Sequence, residues 1–141
     1  MPAWIATLVR ALLVWILVMV GESFHGVLRR VLLSPDVMIT LRQVSVLVGV
    51  LIVFAVTWFC LPWLRLRSTR SALAVGGLWI VLTLGFEIGL GRLAGHGWDR
   101  IFTEYDLTRG GLMPLGLLAM GLIPWIVLRL RTSPRNLGKT P

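Results

Sequence analysis

Eight side chains in this sequence have the chemistry of a functional site, and all are charged or titratable: Glu22, His25, Arg29, Arg42, Glu87, Arg92, Asp106 and Arg109. Both glutamates lie at the end of a long apolar run, where a carboxylate close to hydrocarbon has a high free energy. Such a group must be protonated, paired with an arginine, or turned towards a wet cavity. The cluster therefore predicts either a proton or cation site, or an interhelical salt bridge that fixes the helix register. Such a bridge would join Glu22 or Glu87 to Arg42 or Arg109.

His25 adds a second kind of chemistry. It lies three residues after Glu22 on one helix face, a spacing that suits a proton relay or a pair of metal ligands. The other histidine, His96, comes in a separate segment, and the single cysteine, Cys60, excludes a paired-thiol motif. The sequence contains no zinc-protease motif, phosphate loop, dinucleotide fingerprint or nucleophile elbow. We therefore expect no catalytic residue, no cofactor and no metal.

Apolar runs fill most of the chain. Of its 141 residues, 57% are hydrophobic and 14% are charged, and the mean hydropathy of +0.86 is far from that of a soluble domain. Four runs, at residues 4–21, 44–63, 72–90 and 112–128, are long enough to cross a hydrocarbon core of about 30 Å as helices. We predict an all-α polytopic membrane protein with one four-helix domain at residues 1–131 and a disordered basic tail at residues 132–141.

The first run also resembles a secretory signal peptide, with Arg10 before an apolar stretch from Ala11 to Val20. No cleavage motif of the A-x-A type follows, and the segment continues into Glu22 as a helix would. We interpret it as the first span.

Charge differs between the two sides that four spans define. The side with both termini carries seven basic residues and no acid: Arg65, Arg67, Arg70, Arg129, Arg131, Arg135 and Lys139. The other side carries all six acidic residues and six arginines, a balance that favours mutual neutralisation. Basic loops stay in the cytoplasm, so we predict that both termini are cytoplasmic and that this side meets anionic lipid of the bilayer. No soluble domain is present to carry the net charge of +8 to a nucleic acid.

The spans are predicted to form two hairpins with a common charge pattern. A glutamate closes the first helix of each hairpin, Glu22 or Glu87, and an aspartate and an arginine precede the following span. The spacing predicts two copies in the same orientation, although the first arginines after the glutamates differ by two positions.

A short amphipathic helix is predicted near residues 98–105, where apolar residues recur at i, i+3, i+4 and i+7. Such a helix lies in the membrane interface, either as an aromatic anchor, which we favour, or as a lid over the bundle. The preceding Gly95-His96-Gly97 segment is expected to end the third helix.

Two glycine pairs in the third helix, Gly85 with Gly89 and Gly91 with Gly95, have the spacing of close contacts between membrane helices. They predict that this helix is the central one. Pro124 is expected to kink or interrupt the fourth span.

Several short motifs lie between Gly21 and Pro124. They are Gly21-Glu22-x-x-His25-Gly26-x-x-Arg29, Phe86-Glu87-x-Gly89-x-Gly91-Arg92, Trp98-x-Arg100-Ile101, Tyr105-Asp106-Leu107 and Arg109-Gly110. Together they resemble a group of small four-span bacterial inner-membrane proteins with no assigned activity. The resemblance implies a bacterial inner membrane and no particular reaction.

Three functions remain open. We expect a non-enzymatic accessory or assembly component, in a homodimer or a larger membrane complex, whose charged cluster is structural. The alternative is a small transporter or channel that uses Glu22 and Glu87 as proton or cation sites. The second alternative is a membrane-embedded enzyme with a site formed by His25 and a carboxylate. Whether the two glutamates face arginines or a cavity distinguishes the first two functions.

Overall fold

A computed structural model describes residues 2–32 and 38–133, with the backbone alone at residues 38–40 and 42. Its helices are α1 (Ala3–Leu32), α2 (Met38–Leu64), α3 (Thr69–Leu93), α4 (Trp98–Tyr105) and α5 (Met113–Thr132). Four of them, α1, α2, α3 and α5, are long and apolar enough to cross a membrane. The prediction of an all-α protein with four spans and a short helix near residues 98–105 is confirmed. Most of the predicted tail, residues 134–141, lies outside the described residues.

The α3 helix ends at the glycine segment that the sequence indicates. Gly95 adopts a left-handed φ of +81°, which glycine reaches without steric cost. The backbone N–H groups of Gly95 and His96 then donate to the carbonyls of Arg92 and Gly91, at 3.0 Å each. This arrangement satisfies carbonyls of the last turn and directs the chain into α4.

The α1 and α3 helices run parallel to each other. Trp15 Nε1 donates to Thr83 Oγ1 at 3.0 Å, and Trp79 Nε1 donates to the carbonyl oxygen of Ala11 at 2.9 Å. Both pairs are 68 residues apart, so that each residue of α1 is level with the α3 residue 68 positions later. The two hairpins therefore have the same orientation, as any two successive hairpins of a four-span protein do, and the internal repeat stays a prediction.

The α3 and α5 helices approach most closely at Gly76 and Gly121. A methyl group on Gly76 would collide with the carbonyl oxygen of Gly121, and one on Gly121 would collide with the Ile80 side chain. Methyl groups on Gly85 and Gly89, by contrast, would meet no atom within 4 Å. The prediction that Gly85 and Gly89 form a close helix contact is wrong, because both lie on an exposed face of α3.

The central helix is α5 rather than α3. In its most apolar stretch 39% of the residues are buried, against 22% in each of the other three spans. It packs against α2, α3 and α4, whereas α1 lies beside α2 and touches α3 less extensively. The prediction of a central third helix is therefore wrong. Pro124 is buried within α5, which continues through it from Met113 to Thr132.

The lateral surface of the bundle is apolar and exposed. Phe59 on α2 is 80% exposed, Val81 on α3 is 67% exposed and Leu118 on α5 is 58% exposed. Apolar exposure over all four long helices exceeds what a soluble monomer tolerates and suits contact with lipid chains.

In the described part of the chain, acidic side chains occur at only one end of the bundle, together with Arg29, Arg30, Arg92, Arg100 and Arg109. We call the end at which α1 and α3 terminate the acidic end, because every described acidic side chain lies there or in α4 and the turn after it. The opposite, basic end contains the connection between α2 and α3 and the C-terminus of α5. At this end Arg131 Nη1 donates to the Trp58 carbonyl at 2.9 Å and its guanidinium lies 5.2 Å from the centre of the Trp58 ring.

Candidate functional site

A cavity of about 350 Å³ opens between the four long helices at the acidic end. Its size is at the lower limit for small-molecule sites. Its wall combines apolar side chains with seven polar ones, which are Glu22, His25, Arg29, Ser45, Thr83, Glu87 and Glu104. We call this space the acidic cavity.

The carboxylate of Glu22 rests against the backbone of α2. Its Oε2 atom lies 3.0 Å from the point where a β-carbon on Gly49 would be, so that glycine leaves the space in which the carboxylate lies. The Oε1 atom is shielded from solvent and has no hydrogen-bond partner among the described residues. Glu22 is therefore placed in the cavity wall with unused capacity to accept a hydrogen bond.

Glu87 lies between two other acids. Its carboxylate is close enough to Glu22 and to Glu104 for the negative charges to repel. Glu104 comes from α4, whose C-terminal residues pack against Gly111 at the start of α5. Three carboxylates, from α1, α3 and α4, therefore share one cavity.

Tyr105 follows Glu104 and responds to the same charges. Burial raises the pKa of the Tyr105 phenol, and the charges of Glu87 and Glu104 raise it further. Its hydroxyl is shielded from solvent and has no hydrogen-bond partner among the described residues.

The basic side chain in the wall is Arg29. Its Nη1 donates to Ser45 Oγ at 3.2 Å, and the same oxygen lies 3.5 Å from His25 Nε2. The Nε atom of Arg29 is buried and has no acceptor in the described part of the chain. Arg29 is thus held by a neutral hydroxyl on α2 and forms no ion pair with Glu22.

Thr83 closes the inner end of the polar wall. Its hydroxyl accepts from Trp15 Nε1 at 3.0 Å and donates to Met120 Sδ at 3.1 Å. Thr83 is 5% exposed, so both bonds are shielded from water. The only hydrogen-bond donor of this side chain is therefore already in use.

Three of the remaining predicted residues have other surroundings. Arg92 donates to the His96 carbonyl at 3.2 Å and lies over the Trp98 ring at 4.9 Å. Arg109 forms an ion pair with Asp106 at 3.5 Å, the only ion pair among the described residues. Hydrogen bonds from the Thr108 hydroxyl and backbone amide hold the pKa of Asp106 below its usual value.

The predicted salt bridge between Arg109 and Glu22 or Glu87 is therefore wrong. Arg109 and Asp106 belong to one turn between α4 and α5, and so they neutralise each other locally. The corresponding pairing with Arg42 stays a prediction, because that side chain lies outside the described residues.

The structure brings Glu22, His25, Arg29 and Glu87 together, and it adds Ser45, Thr83 and Glu104, which the sequence did not single out. A signal for Thr83 was present, because it precedes Glu87 by one helical turn on the same face of α3. Among the residues that the structure describes, no group of three His, Cys, Asp or Glu side chains is arranged to hold a metal ion.

Comparison with protein-family models, with curated proteins and with solved structures gave no match for this chain.

Proposed function

We propose that this protein is a small multi-pass membrane transporter or channel that uses Glu22 and Glu87 as its proton or cation sites. The observation that carries the proposal is the convergence of both glutamates, from different hairpins, on one cavity. An acidic side chain within a membrane helix faces the bundle interior when it serves an ion pathway. Neither glutamate has an ion-pair partner in the described part of the chain.

The accessory role that the sequence favours depends on neutralisation of the acids by arginines. In the described residues, the arginine in the cavity wall bonds to Ser45, and Arg109 bonds to Asp106. A structural cluster would leave few buried polar atoms without partners, whereas Glu22 Oε1 and Arg29 Nε both lack one. These observations support a site that exchanges a ligand.

We place the protein in a bacterial inner membrane with both termini in the cytoplasm. Support comes from the basic end of the bundle, which would face the cytoplasm and its anionic lipids. In this orientation the acidic cavity opens towards the outer side of the membrane.

Proton flux in proteoliposomes tests the proposal. The purified protein is reconstituted with a pH-sensitive dye inside, and a potassium diffusion potential drives protons inward. The wild type is expected to exceed protein-free liposomes by at least about tenfold, and Glu22→Gln and Glu87→Gln should each remove most of that excess, because they remove the titrating group.

Asp99→Asn is the matched control, since Asp99 is an exposed acid on α4 that does not line the cavity. Its flux should equal that of the wild type. Wild-type flux no greater than in empty liposomes would overturn proton transport. Normal flux in a folded Glu87→Gln variant would overturn the role of Glu87 as a transport site.

A further inference from the structure

The acidic cavity changes from polar to apolar along its length. Along α2 it extends from Ser45 to Val53, eight residues or about 12 Å at 1.5 Å per residue. Glu22 lies beside Gly49, in the middle of this length. Beyond that level, towards the basic end, the lining on α2 consists of Val50 and Val53.

The opposite wall, on α5 and the residue before it, is apolar along its whole length. On α5 the inner lining consists of Leu117, Met120 and Ile123, and Met120 already receives the hydroxyl hydrogen of Thr83. An inorganic cation at this depth would lose its hydration shell without finding oxygen ligands. The inner half is thus suited to a hydrocarbon group.

The volume of the cavity also favours an organic ligand over an inorganic ion. A volume of about 350 Å³ is many times the share of one water, about 30 Å³, and lies within the range of sites for small organic molecules. Met19, Met113 and Met120 contribute flexible thioether side chains, which adapt to apolar groups of different shape.

The outer half selects the charge and the donor of the ligand. Three carboxylates outnumber one guanidinium, which Ser45 already holds, so the electrostatics favours a positive head group. A ligand with an N–H group can also donate to the carboxylates that line the cavity, which a quaternary ammonium ion cannot.

We infer that the acidic cavity binds an amphipathic organic ammonium ion, an assignment that rests on the proposed function. The ammonium head lies between the levels of Glu22 and Glu87, and the apolar part points past Glu87 towards Met120 and Ile123. At least one N–H on the head group distinguishes the preferred ligand from a quaternary ammonium ion.

Calorimetric titration of the protein in nanodiscs of uncharged lipid tests the inference, with 4-phenylbutylammonium as the probe. We expect saturable binding of one ion per chain. The affinity should fall at least about tenfold in Glu22→Gln, in proportion to the lost charged hydrogen bond. The alcohol 4-phenylbutanol and the anion 4-phenylbutyrate should show no saturable binding, and the trimethylated ammonium should bind about tenfold more weakly.

A series of unsubstituted alkylammonium ions on the wild type avoids any risk of misfolding. From ethyl to hexyl, affinity should rise about threefold to fourfold per methylene group while the inner half is being filled. The same series on protein-free nanodiscs gives the background from partition into lipid. Binding that does not exceed this background at any chain length contradicts the inference, as does equal binding of the alcohol.

The two proposals fail in different ways. Proton flux that depends on Glu87, without saturable binding of the ammonium probe, overturns the ligand assignment and leaves the proposed function intact. Saturable binding without proton flux supports the ligand assignment and overturns proton transport.

Discussion

The carboxylate of Glu22 lies against Gly49, in a space that glycine alone leaves free. The two carboxylate oxygens are 3.0 Å and 3.3 Å from the point where a β-carbon at residue 49 would be. A small residue on α2 therefore sets the position of an acid on α1. A substitution at Gly49 would displace the Glu22 carboxylate without altering any charge.

Gly49→Ala is expected to move the Glu22 carboxylate by a few tenths of an ångström and to lower proton flux, by up to about tenfold, because proton transfer is sensitive to such displacements. Gly85→Ala is the control, since it adds the same methyl group to a membrane helix where no atom lies within 4 Å. Equal flux in the two variants would show that the Gly49 contact does not position Glu22.

The bond between Trp15 and Thr83 should stabilise the packing of α1 on α3. Thr83→Val removes the acceptor and leaves the part-buried indole N–H of Trp15 without a partner, at a cost of about 1–3 kcal/mol in the free energy of unfolding. Thr57→Val is the matched control, because Thr57 is equally buried and its hydroxyl donates only to the Val53 carbonyl of its own helix. Reversible unfolding in mixed detergent measures both, and a smaller loss in Thr83→Val than in Thr57→Val contradicts the expectation.

Gly76→Ala should destabilise the pair formed by α3 and α5 by about 1–3 kcal/mol, because the backbone of Gly121 cannot move away as a side chain would. The neighbouring Gly77 provides the control, since a methyl group there meets no atom within 4 Å. Thermal unfolding of the two variants in detergent separates them. Alanine favours a helix more than glycine does, so Gly77→Ala should be neutral or stabilising. If Gly77→Ala is as destabilising as Gly76→Ala, the contact with Gly121 does not explain the loss.

Tyr105 is the only tyrosine in the chain, so its ionisation is observed directly as tyrosinate absorbance. Its pKa is raised above the ordinary 10.0, first by burial and then by Glu87 and Glu104. The folded state therefore keeps the proton more tightly than the unfolded state, and stability declines as the pH rises above 10 and through the folded pKa.

Glu87→Gln removes one negative charge and is expected to lower the pKa of Tyr105 towards 10.0, whereas Asp99→Asn should leave the titration unchanged. An unchanged titration in Glu87→Gln would place the Glu87 carboxylate away from Tyr105.

Cysteine labelling tests the orientation. In a Cys60→Ser background, Asp99→Cys and Lys139→Cys are treated with a membrane-impermeant maleimide in intact cells. Asp99→Cys should react, and Lys139→Cys should react only after the membrane is opened. Labelling of both positions from the same side of the membrane would contradict the four-span topology.

The spans and the short helix α4 follow from hydropathy and periodicity, because lipid selects long apolar helices regardless of how they pack. The packing itself is less visible in the sequence. Gly85 and Gly89 have the spacing of a helix contact, yet the contact is made by Gly76 and Gly121, since spacing alone does not show which face of α3 meets a neighbour.

The candidate site, too, is predicted only in part by the sequence. Glu22 and Glu87 are conspicuous as acids at the ends of apolar runs, and both line the cavity. Glu104 is one of several charges on a short amphipathic helix. Only the placement of α4 at the acidic end shows that it lines the cavity. The sequence pairs Arg109 with a distant glutamate, whereas the tight turn after α4 brings it to Asp106.

The register of α1 on α3 places Glu22 and Glu87 at different depths in the bundle. With a constant offset of 68 residues, residue 87 is level with residue 19, and so it lies three residues, or about 4.5 Å, further from the acidic end than residue 22. In the proposed transporter, a cation that enters from that end meets Glu22 before Glu87 instead of one symmetric pair.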